Sequence, residues 1–338
     1  MEITQTPEGV KLGGNARQRF HDARGYGTPL GDGSVLVTPV EAAHLLFRED
    51  IPAIDGADFP TYLSQVPDPT IGTKFSVYKD FRDRGFYLRP VGDDRPVIDF
   101  MVFERGTKPS DGQVAYEISV VDERSPVPGD TFTPRVLAIV DEEGEIGYVE
   151  IAHWTPEGDV NPPAIDAVRG VLIGDRVLIP QPPTDLYGEY FFGQPVSGRE
   201  AIDDTLQLSL VEAAYLQEIG ILTVDGGSLV ERARSIEGSV FAPRLAVYSE
   251  LRNAGIVTKT GYKFGADFRL YPSFTSVTDM SHSTALVRIR SPADSIHPHE
   301  ISLDVRLAHG VGKRMLFALR KGPADNPTDW ISIQRITP

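Results

Sequence analysis

The sequence predicts an α/β fold of the mixed α+β kind, built by tandem duplication. Each repeat is predicted to have a small α+β N-terminal domain followed by a mixed-sheet domain with flanking helices. Three observations support this. Segments of the first half recur in the same order in the second half. Amphipathic stretches that end in glycine alternate with short β-branched and apolar runs. A chain of 338 residues is also long enough to form several cores.

Four pairs of matching segments reveal the duplication. Each pair opens or closes a predicted element, and the offset is 171 residues for the first pair and 170 for the second. Hydroxyl residues suited to a helix N-cap open the first pair, and a glycine suited to a helix C-terminus ends the second. The pairs are Thr38–Leu45 with Ser209–Leu216, Val77–Gly85 with Val247–Gly255, Asp99-Phe100 with Asp267-Phe268, and Gly27-Thr-Pro29 with Gly193-Gln-Pro195.

A proline-rich stretch between Thr155 and Pro163 marks the predicted boundary between the repeats, because Asn161-Pro-Pro163 fits neither a helix nor a central strand. Each repeat divides again, which predicts four domains: 1–70, 71–160, 161–240 and 241–338. In the last domain, apolar and β-branched runs predict strands at Ile256–Thr260, Ala266–Tyr271, Ala285–Ile289 and Arg314–Leu319. The segment 302–309 fits strand or helix spacing, and we favour a short helix with Ser302 as cap and Gly310 as stop.

Charge is distributed unevenly along an acidic chain. There are 48 Asp and Glu residues against 33 Lys and Arg, and only 8 of the basic residues are lysines. Such a composition is typical of proteins that work in concentrated salt and suggests a halophilic archaeal source. Residues 1–240 carry a net charge of −20, whereas 241–338 carry +5. The basic segment suits a nucleic-acid partner, although a chance cluster of charge explains it equally well.

The remaining composition excludes several classes of site. Without cysteine the chain has no disulfide, thiolate metal site or cysteine nucleophile. No apolar run is long enough to span a bilayer and the N-terminus has no signal-peptide pattern, so we expect a cytoplasmic protein without a membrane partner. His297-Pro-His299 has no third ligand beside it and is interpreted as a solvated turn rather than a metal pair.

The last hundred residues resemble a known family. The segment from Tyr248 to Tyr271, YSELRNAGIVTKTGYKFGADFRLY, is similar to the signature of archaeal tRNA-splicing endonucleases. So are Ser281-His-Ser283 and Arg306-Leu-Ala-His-Gly-Val-Gly-Lys313. The resemblance covers 244–319 closely and most of the chain more weakly through the first repeat. It implies an enzyme of the homodimeric type that cuts introns from precursor tRNA, and possibly rRNA, at bulge-helix-bulge elements. Such enzymes use no metal or other cofactor and leave 2′,3′-cyclic phosphate and 5′-hydroxyl ends.

The resemblance also implies the roles of three residues in domain 241–338. Tyr271 aligns with the general base, although a phenol with an ordinary pKa of about 10 needs nearby cations for that role. It acts either as the base or only to orient the 2′-hydroxyl. His282 aligns with the general acid, a role that suits a group titrating near neutrality. Lys313 aligns with the cation that stabilises the pentavalent phosphorane.

The first repeat lacks all three groups, which makes 71–160 a degenerate, non-catalytic nuclease-like domain. Phe103 stands where Tyr271 stands, and Thr133 takes the place of Lys313. The segment 111–117 contains no histidine opposite His282. One copy is therefore expected to keep the scaffold without the reaction.

Contacts with RNA and with a second subunit are implied as well. Arg306 and Arg335 resemble family arginines that sandwich an extruded bulge base, and Arg335 could also be an ordinary strand residue. The acidic turn Asp141-Glu142-Glu143-Gly-Glu145 resembles a loop that docks beside the active site of the opposing subunit, although a solvated turn is the common alternative. Its counterpart in the second repeat is Lys321–Asp325. A homodimer would then present two active sites to both ends of an intron.

Two other classes of protein compete with this interpretation. A metal-dependent nuclease needs an Asp followed by a Glu-x-Lys pair on adjacent strands, but the run Ala285-Leu-Val-Arg-Ile after Asp267 has no carboxylate. A non-catalytic RNA-binding or scaffolding subunit would carry the three groups as inert relics. Cleavage in a chelator separates the first alternative, and replacement of His282 separates the second.

Overall fold

A computed structural model describes residues 1–92, 94–202, 204–320 and 327–338. In the first half, strands and helices follow one another in this order: β1 (Ile3–Thr6), β2 (Gly9–Leu12), β3 (Thr28–Pro29), β4 (Val35–Val37), α1 (Pro39–Phe47), α2 (Phe59–Gln65), α3 (Ile71–Asp83), β5 (Leu88–Pro90), β6 (Phe100–Phe103), β7 (Val114–Asp122), β8 (Val127–Pro128), β9 (Arg135–Val140) and β10 (Ile146–His153).

The second half repeats this order with additions. It contains β11 (Val168–Ile173), β12 (Arg176–Ile179), α4 (Thr184–Gly188), β13 (Gln194–Pro195), β14 (Leu206–Ser209), α5 (Leu210–Glu218), β15 (Leu222–Asp225), α6 (Leu229–Glu237), α7 (Phe241–Asn253), β16 (Val257–Thr260), β17 (Phe268–Tyr271), β18 (Ala285–Arg290), β19 (Ser295–Ile296), α8 (Pro298–Gly310), β20 (Arg314–Leu319) and β21 (Asp329–Ile336). The mixed α+β prediction is confirmed.

A continuous ten-stranded sheet joins the two halves. Its order is β16-β17-β18-β20-β21-β10-β9-β7-β6-β5, so each half contributes five strands in mirrored order. At the centre β21 and β10 pair antiparallel, with Ile151 opposite Ile333. The pairing is symmetric about this pair. The residue before Ile151 faces the residue after Ile333, and the residue after Ile151 faces the residue before Ile333. A pseudo-twofold axis therefore passes near the Ile151–Ile333 pair, and the duplication is visible as symmetry.

Local sequence chemistry explains why the repeated helices form. Helix α1 has the capping residue Thr38 with Glu41 in its first turn, and α5 has Ser209 with Glu212 in the same arrangement. Helices α3 and α7 are followed by glycines at φ +86° and +79°, the left-handed conformation that suits a helix end. The four caps and stops are the features that the repeated segments predicted.

Each half also carries a smaller sheet before its share of the large one. Strands β1 to β4 form a four-stranded sheet, and β11 to β15 form a five-stranded sheet. Helices α1 and α5 pack against α3 and α7 respectively, each within the apolar core of its own half. A third core beneath α8 is shared, because residues of both halves, such as Leu137 and Phe317, lie in it.

The main difference between the halves is helix α8. Equivalent residues are 169 positions apart at Ile118 and Val287, and 180 apart at Val136 and Leu316. The added segment contains α8, where the first half has only a short 3-10 turn at Gly129–Thr131. The second half therefore has an extra helix directly before its Lys313.

The predicted start of this helix was wrong. Helix α8 begins at Pro298 with His297 as N-cap, four residues before Ser302, and it ends at Gly310 as expected. Proline suits the first helical position because its missing N–H would have no partner there. His297 and His299 consequently lie at the helix start rather than in a solvated turn. Strand β17 begins at Phe268, two residues later than predicted, because Gly261 and Asp267 close a turn before it.

None of the helices in the described part of the chain is long and apolar enough to cross a membrane.

Candidate active site

Three chain segments meet at one edge of the large sheet. Strand β17 ends at Tyr271, whereas β18 begins at Ala285 and β20 begins at Arg314. Because β17 is antiparallel to β18, and β18 is parallel to β20, these three strand ends share one edge. His282 precedes β18 by three residues and Lys313 immediately precedes β20. The fold therefore brings the three predicted positions to the same end of adjacent strands.

Backbone hydrogen bonds fix these strand ends together. The Thr284 N–H donates to the carbonyl oxygen of Leu270 at 2.9 Å, and the Arg314 N–H donates to the carbonyl oxygen of Thr284 at 3.0 Å. These bonds bring Tyr271, Ser283 and Lys313, which are adjacent to the bonded residues, to the same end of the sheet.

Lys313 is held in place by its own backbone and by its ammonium group. Its N–H donates to the carbonyl oxygen of Ala308 at 2.8 Å, and Nζ donates to the carbonyl oxygen of Ser283 at 2.7 Å. Nζ also lies 5.5 Å from the ring centroid of Phe264. Partial burial, and then the nearby charge of Arg269, lower the pKa of Lys313. An ammonium that uses one N–H on a carbonyl keeps two donors for a ligand.

Tyr271 is packed among aromatic rings. Its residue is only 3% exposed, and its ring centroid lies 5.8 Å from that of Phe191 and 6.3 Å from that of Phe274. The guanidinium carbon of Arg269 is 5.8 Å from the Tyr271 ring centroid. The structure therefore places a cation beside the Tyr271 ring.

His282 lies in the segment between β17 and β18, and it is exposed, as is Ser281. The next residue, Ser283, is buried and accepts the hydrogen bond from Lys313. The His282 imidazole is therefore exposed to solvent and lies one residue from Ser283, whose carbonyl is bonded to Lys313.

A cavity of about 510 Å³ opens at this edge. Lys313, Thr284 and Pro272 line it, and so do Arg335 and His309. Neither Tyr271 nor His282 belongs to its lining. The structure therefore places Lys313 on the cavity wall. Tyr271 is buried next to Pro272, which lines the cavity, and His282 lies on the exposed segment that leads to it.

The first half shows the same edge without these groups. Phe103 ends β6, the equivalent of β17, and Thr133 lies three residues before Val136, as Lys313 lies three residues before the equivalent Leu316. Asp99 and Asp267 confirm the equivalence, since each carboxylate accepts a backbone N–H from the neighbouring strand, at 2.7 and 2.9 Å. The scaffold of the edge is duplicated and its chemistry is not.

The two arginines lie on one side of this edge. Arg306 is exposed on α8, and Arg335 is exposed on β21. Arg335 lines both the cavity at Lys313 and a second cavity of about 480 Å³, which Arg306 also lines. Arg335 therefore lies between Arg306 and Lys313. Its position on strand β21 is compatible with a role in RNA binding.

The acidic turn is closed by its own first side chain. The Asp141 carboxylate accepts the N–H groups of Glu143 at 3.0 Å and Glu145 at 2.8 Å, and the three glutamates are exposed. Glu142 forms an exposed ion pair with Arg124. Asp141 and Glu145 border the same 480 Å³ cavity as Arg306 and Arg335 of their own chain. The counterpart Lys321–Asp325 lies outside the described residues.

Sequence reasoning missed Arg269 and the Glu212–Lys259 pair. Arg269 is two residues before Tyr271, and this spacing puts both on one face of β17. The alternation in Phe-Arg-Leu-Tyr was the signal that could have revealed it. Glu212 and Lys259 are buried 2.6 Å apart, but they are 47 positions apart in the chain and no local pattern connects them.

The described residues contain no cluster of three or more His, Asp or Glu side chains suited to hold a metal ion. The edge offers instead an ammonium, a phenol and an imidazole, with a guanidinium close by.

Comparison with known proteins agrees with this arrangement. The model of the tRNA intron endonuclease catalytic C-terminal domain matches residues 241–327, and the model of the N-terminal domain matches twice, at 8–62 and 168–234. The chain belongs to the tRNA intron endonuclease family. The N-terminal model thus matches both halves of the chain, and the match of the catalytic model lies in the second half.

Relatives in this family cover the whole chain. A tRNA-splicing endonuclease of Halobacterium salinarum is 49% identical over 336 residues, which is 97% of both chains. One of Haloarcula marismortui is 44% identical over 100% of both chains, and one of Methanosarcina acetivorans is 32% identical over 97% of both. The first two come from halophilic archaea, in keeping with the acidic, lysine-poor composition. Membership of the family makes this protein an endoribonuclease.

Proposed function

We propose that the protein removes introns from precursor tRNA, and that it also accepts rRNA precursors, by cutting at bulge-helix-bulge elements. The observation that carries the proposal is the contrast between two equivalent sheet edges, of which only the second has Tyr271, His282 and Lys313. The domains 71–160 and 241–338 are then the silent and the catalytic member of one duplicated unit, each preceded by its N-terminal domain, 1–70 or 161–240.

RNA provides its own nucleophile, the 2′-hydroxyl next to the scissile phosphate. Tyr271 removes its proton, and the guanidinium carbon of Arg269 lies 5.8 Å from the Tyr271 ring centroid. His282 donates a proton to the departing 5′-oxygen. Lys313, with two N–H donors left over from its bond to Ser283, neutralises the phosphorane. The products are a 2′,3′-cyclic phosphate and a 5′-hydroxyl, and no step requires a metal.

The decisive experiment incubates the protein with a bulge-helix-bulge RNA in EDTA and maps the ends. We expect cleavage with cyclic phosphate termini. Products with a 3′-hydroxyl, or cleavage that stops in the chelator, would overturn the mechanism and favour metal-dependent hydrolysis.

His282→Ala tests whether the predicted group is the acid, and His153→Ala is its matched control because His153 is also exposed and lies outside the Lys313 cavity. We expect the rate to fall about 10²–10⁴-fold in the first variant, the range for losing a general acid, and to stay near wild type in the second. Unchanged cleavage by the His282 variant would remove His282 from the mechanism, whereas no cleavage by the wild-type protein would make the chain a non-catalytic RNA-binding subunit.

Arg306 and Arg335 are proposed to hold an extruded bulge base between their guanidinium planes. Both are exposed and share a cavity, so neither is held by an obligatory structural contact. Alanine at either position is expected to weaken RNA binding about tenfold, since stacking of a base is worth about 1–3 kcal/mol. A fully paired duplex of the same length, which has no bulge, should bind equally well to wild type and both variants.

The chain is proposed to work as a homodimer, because one catalytic half per subunit gives one site and an intron has two ends. The acidic turn docks into a basic pocket beside the active site of the opposing subunit. Replacing Glu142, Glu143 and Glu145 together by glutamine leaves the Asp141 bonds that shape the turn. We expect monomers in sedimentation at low salt, whereas Glu8→Gln, an exposed control, should not change the mass.

A further inference from the structure

Each half of the molecule has a cleft between its smaller sheet and the outer strands of the large one. The cleft of the first half has a volume of about 520 Å³ and includes Gly27 and Glu41, and that of the second half has about 510 Å³ and includes Gly193 and Glu212. In both clefts the glutamate carboxylate accepts the glycine N–H, at 2.8 and 3.0 Å. The two clefts are therefore copies of one another.

The two clefts differ in charge. With histidine counted as neutral, two basic and two acidic side chains line the first cleft: Arg89, Lys108, Asp22 and Glu41. Six basic and three acidic side chains line the second, which therefore carries three net positive charges: Arg176, Arg199, Arg244, Lys259, Lys263 and Arg269 against Asp175, Glu212 and Glu237. A positive cleft is unexpected by chance on a chain of net charge −15.

Ion pairs within the second cleft use only half of its cations. Each of the three acids is paired with one lining cation, in the pairs Asp175–Arg176, Glu237–Arg244 and Glu212–Lys259. In the described part of the chain, the other three cations have no carboxylate within 4 Å: Arg199, Lys263 and Arg269. Arg199 and Lys263 are exposed, so their charges face the cleft opening. These three cations are available to an anion.

Arg269 connects the cleft to the catalytic edge. It lines the cleft, and it shares a strand face with Tyr271, whose ring centroid is 5.8 Å from its guanidinium carbon. Its Nε is buried and has no hydrogen-bond partner among the described residues. Because Arg269 lines the cleft and forms no ion pair with a described carboxylate, its guanidinium charge is available to an oxyanion there.

The turn from Tyr262 to Phe264 makes a second connection. The Phe264 ring lies 5.5 Å from the Lys313 ammonium, and the preceding Lys263 lines the cleft. Tyr262 is 86% exposed, the largest exposed fraction among the apolar and aromatic residues that stand out on the surface. An unpacked aromatic side chain beside a basic cleft is the arrangement that proteins use to stack a nucleobase.

We infer that this cleft binds the sugar-phosphate backbone of the RNA strand next to the cleavage point, with Arg199, Lys263 and Arg269 contacting phosphates and Tyr262 stacking on a base. The inference rests on the proposed function, because it places the scissile phosphate at Lys313 and the neighbouring phosphates along the cleft. The duplicated cleft of the silent half has no excess charge and binds no RNA.

The test compares two double variants that remove the same charge from equivalent clefts. Arg199→Ala with Lys263→Ala changes exposed, unpaired cations of the second cleft, and Arg89→Ala with Lys108→Ala changes exposed cations of the first. Binding is measured with a bulge-helix-bulge RNA that carries 2′-deoxyribose at the cleavage point, over a series of KCl concentrations. Single-turnover cleavage of the all-ribose RNA is measured at saturating protein.

The second-cleft variant is expected to bind about tenfold more weakly or worse, since a hydrogen bond to a charged group is worth at least a factor of ten in affinity. The slope of log affinity against log salt should fall by about 1.4, because two contacts to single-stranded phosphates are lost. The cleavage rate at saturation should change less than about threefold, because the altered groups lie away from the reacting atoms. The first-cleft variant should match wild type in all three measurements.

Equal losses in both double variants would mean that only overall charge matters, and the inference would be wrong. It would also be wrong if the second-cleft variant bound RNA with unchanged affinity while wild type cut it normally. Failure of the wild-type protein to cut the RNA would instead reject the proposed function. That measurement uses the wild-type protein alone.

Tyr262 separates stacking from charge. Tyr262→Ala should weaken binding about tenfold without altering the salt slope, and Tyr262→Phe should restore wild-type affinity, because only the ring face is used. Equal affinity of the alanine variant and wild type would remove Tyr262 from the site.

Discussion

Replacing Glu212 by glutamine is expected to lower the free energy of unfolding by about 3–5 kcal/mol. The Glu212 carboxylate lies 2.6 Å from Lys259 Nζ, and both residues are less than 10% exposed. The pair joins α5 to β16, so it holds the second small sheet against the catalytic strands. Glutamine leaves the buried Lys259 ammonium with neutral acceptors, such as the carbonyl of Gly193 at 2.9 Å, but with no opposite charge, and breaking a buried pair on one side costs about this much.

The duplication provides a matched control at Glu41. Its carboxylate accepts the N–H groups of Gly27 and Thr38, as Glu212 accepts those of Gly193 and Ser209. Arg89, the equivalent of Lys259, forms no ion pair with Glu41. Glu41→Gln thus removes the same carboxylate charge but no ion pair, and it should destabilise the fold less than Glu212→Gln does.

Opposite pKa shifts give the two carboxylates opposite pH dependences. Burial acts to raise the pKa of Glu212, but Lys259 outweighs it and lowers the value from 4.5 to about 2. A lowered folded-state pKa contributes stability above pH 4.5 that is lost as pH falls towards 2. Burial raises the pKa of Glu41, whose contribution is greatest below pH 4.5 and is lost as pH rises.

Urea-induced unfolding at fixed salt measures these effects. The only two tryptophans, Trp154 and Trp330, pack 5.2 Å apart and report on the second half by fluorescence. The gap between wild type and Glu212→Gln should narrow between pH 4.5 and pH 2. Equal destabilisation by Glu212→Gln and Glu41→Gln at neutral pH, or a gap independent of pH, would refute the assigned ion pair.

Three further predictions concern the catalytic half. Arg269→Met should raise the pKa of Lys313, because the Arg269 charge helps to lower it in the wild type; an NMR titration of the Lys313 ammonium that shows no change contradicts this. Gly158→Ala should destabilise by about 1–3 kcal/mol, since its Cβ would meet the Gly255 carbonyl oxygen at 2.3 Å, and thermal unfolding measures the loss. Asp267→Ala should cost about 1–3 kcal/mol in urea unfolding, because it leaves a backbone N–H of the sheet without an acceptor.

Local chemistry made much of the fold predictable. Helix caps at Thr38 and Ser209, and glycine stops at Gly85 and Gly255, depend on residues a few positions apart, so they are visible in the sequence and present in the structure. The strand Arg314–Leu319 was predicted at its observed bounds because the apolar run that forms it is short and has charged residues at both ends. The start of α8 was missed, because proline after histidine is a weaker signal than a serine.

The sequence by itself determined the duplication, the loss of the three groups from the first copy and the family, since each is a comparison of residue types along one chain. Only the tertiary structure decided that ten strands from both halves form one sheet about the Ile151–Ile333 pair. It also revealed that Arg269 connects a positive cleft to Tyr271. Strand pairing and charge proximity arise between residues far apart in the chain, and contacts over such separations leave no periodic trace in a single sequence.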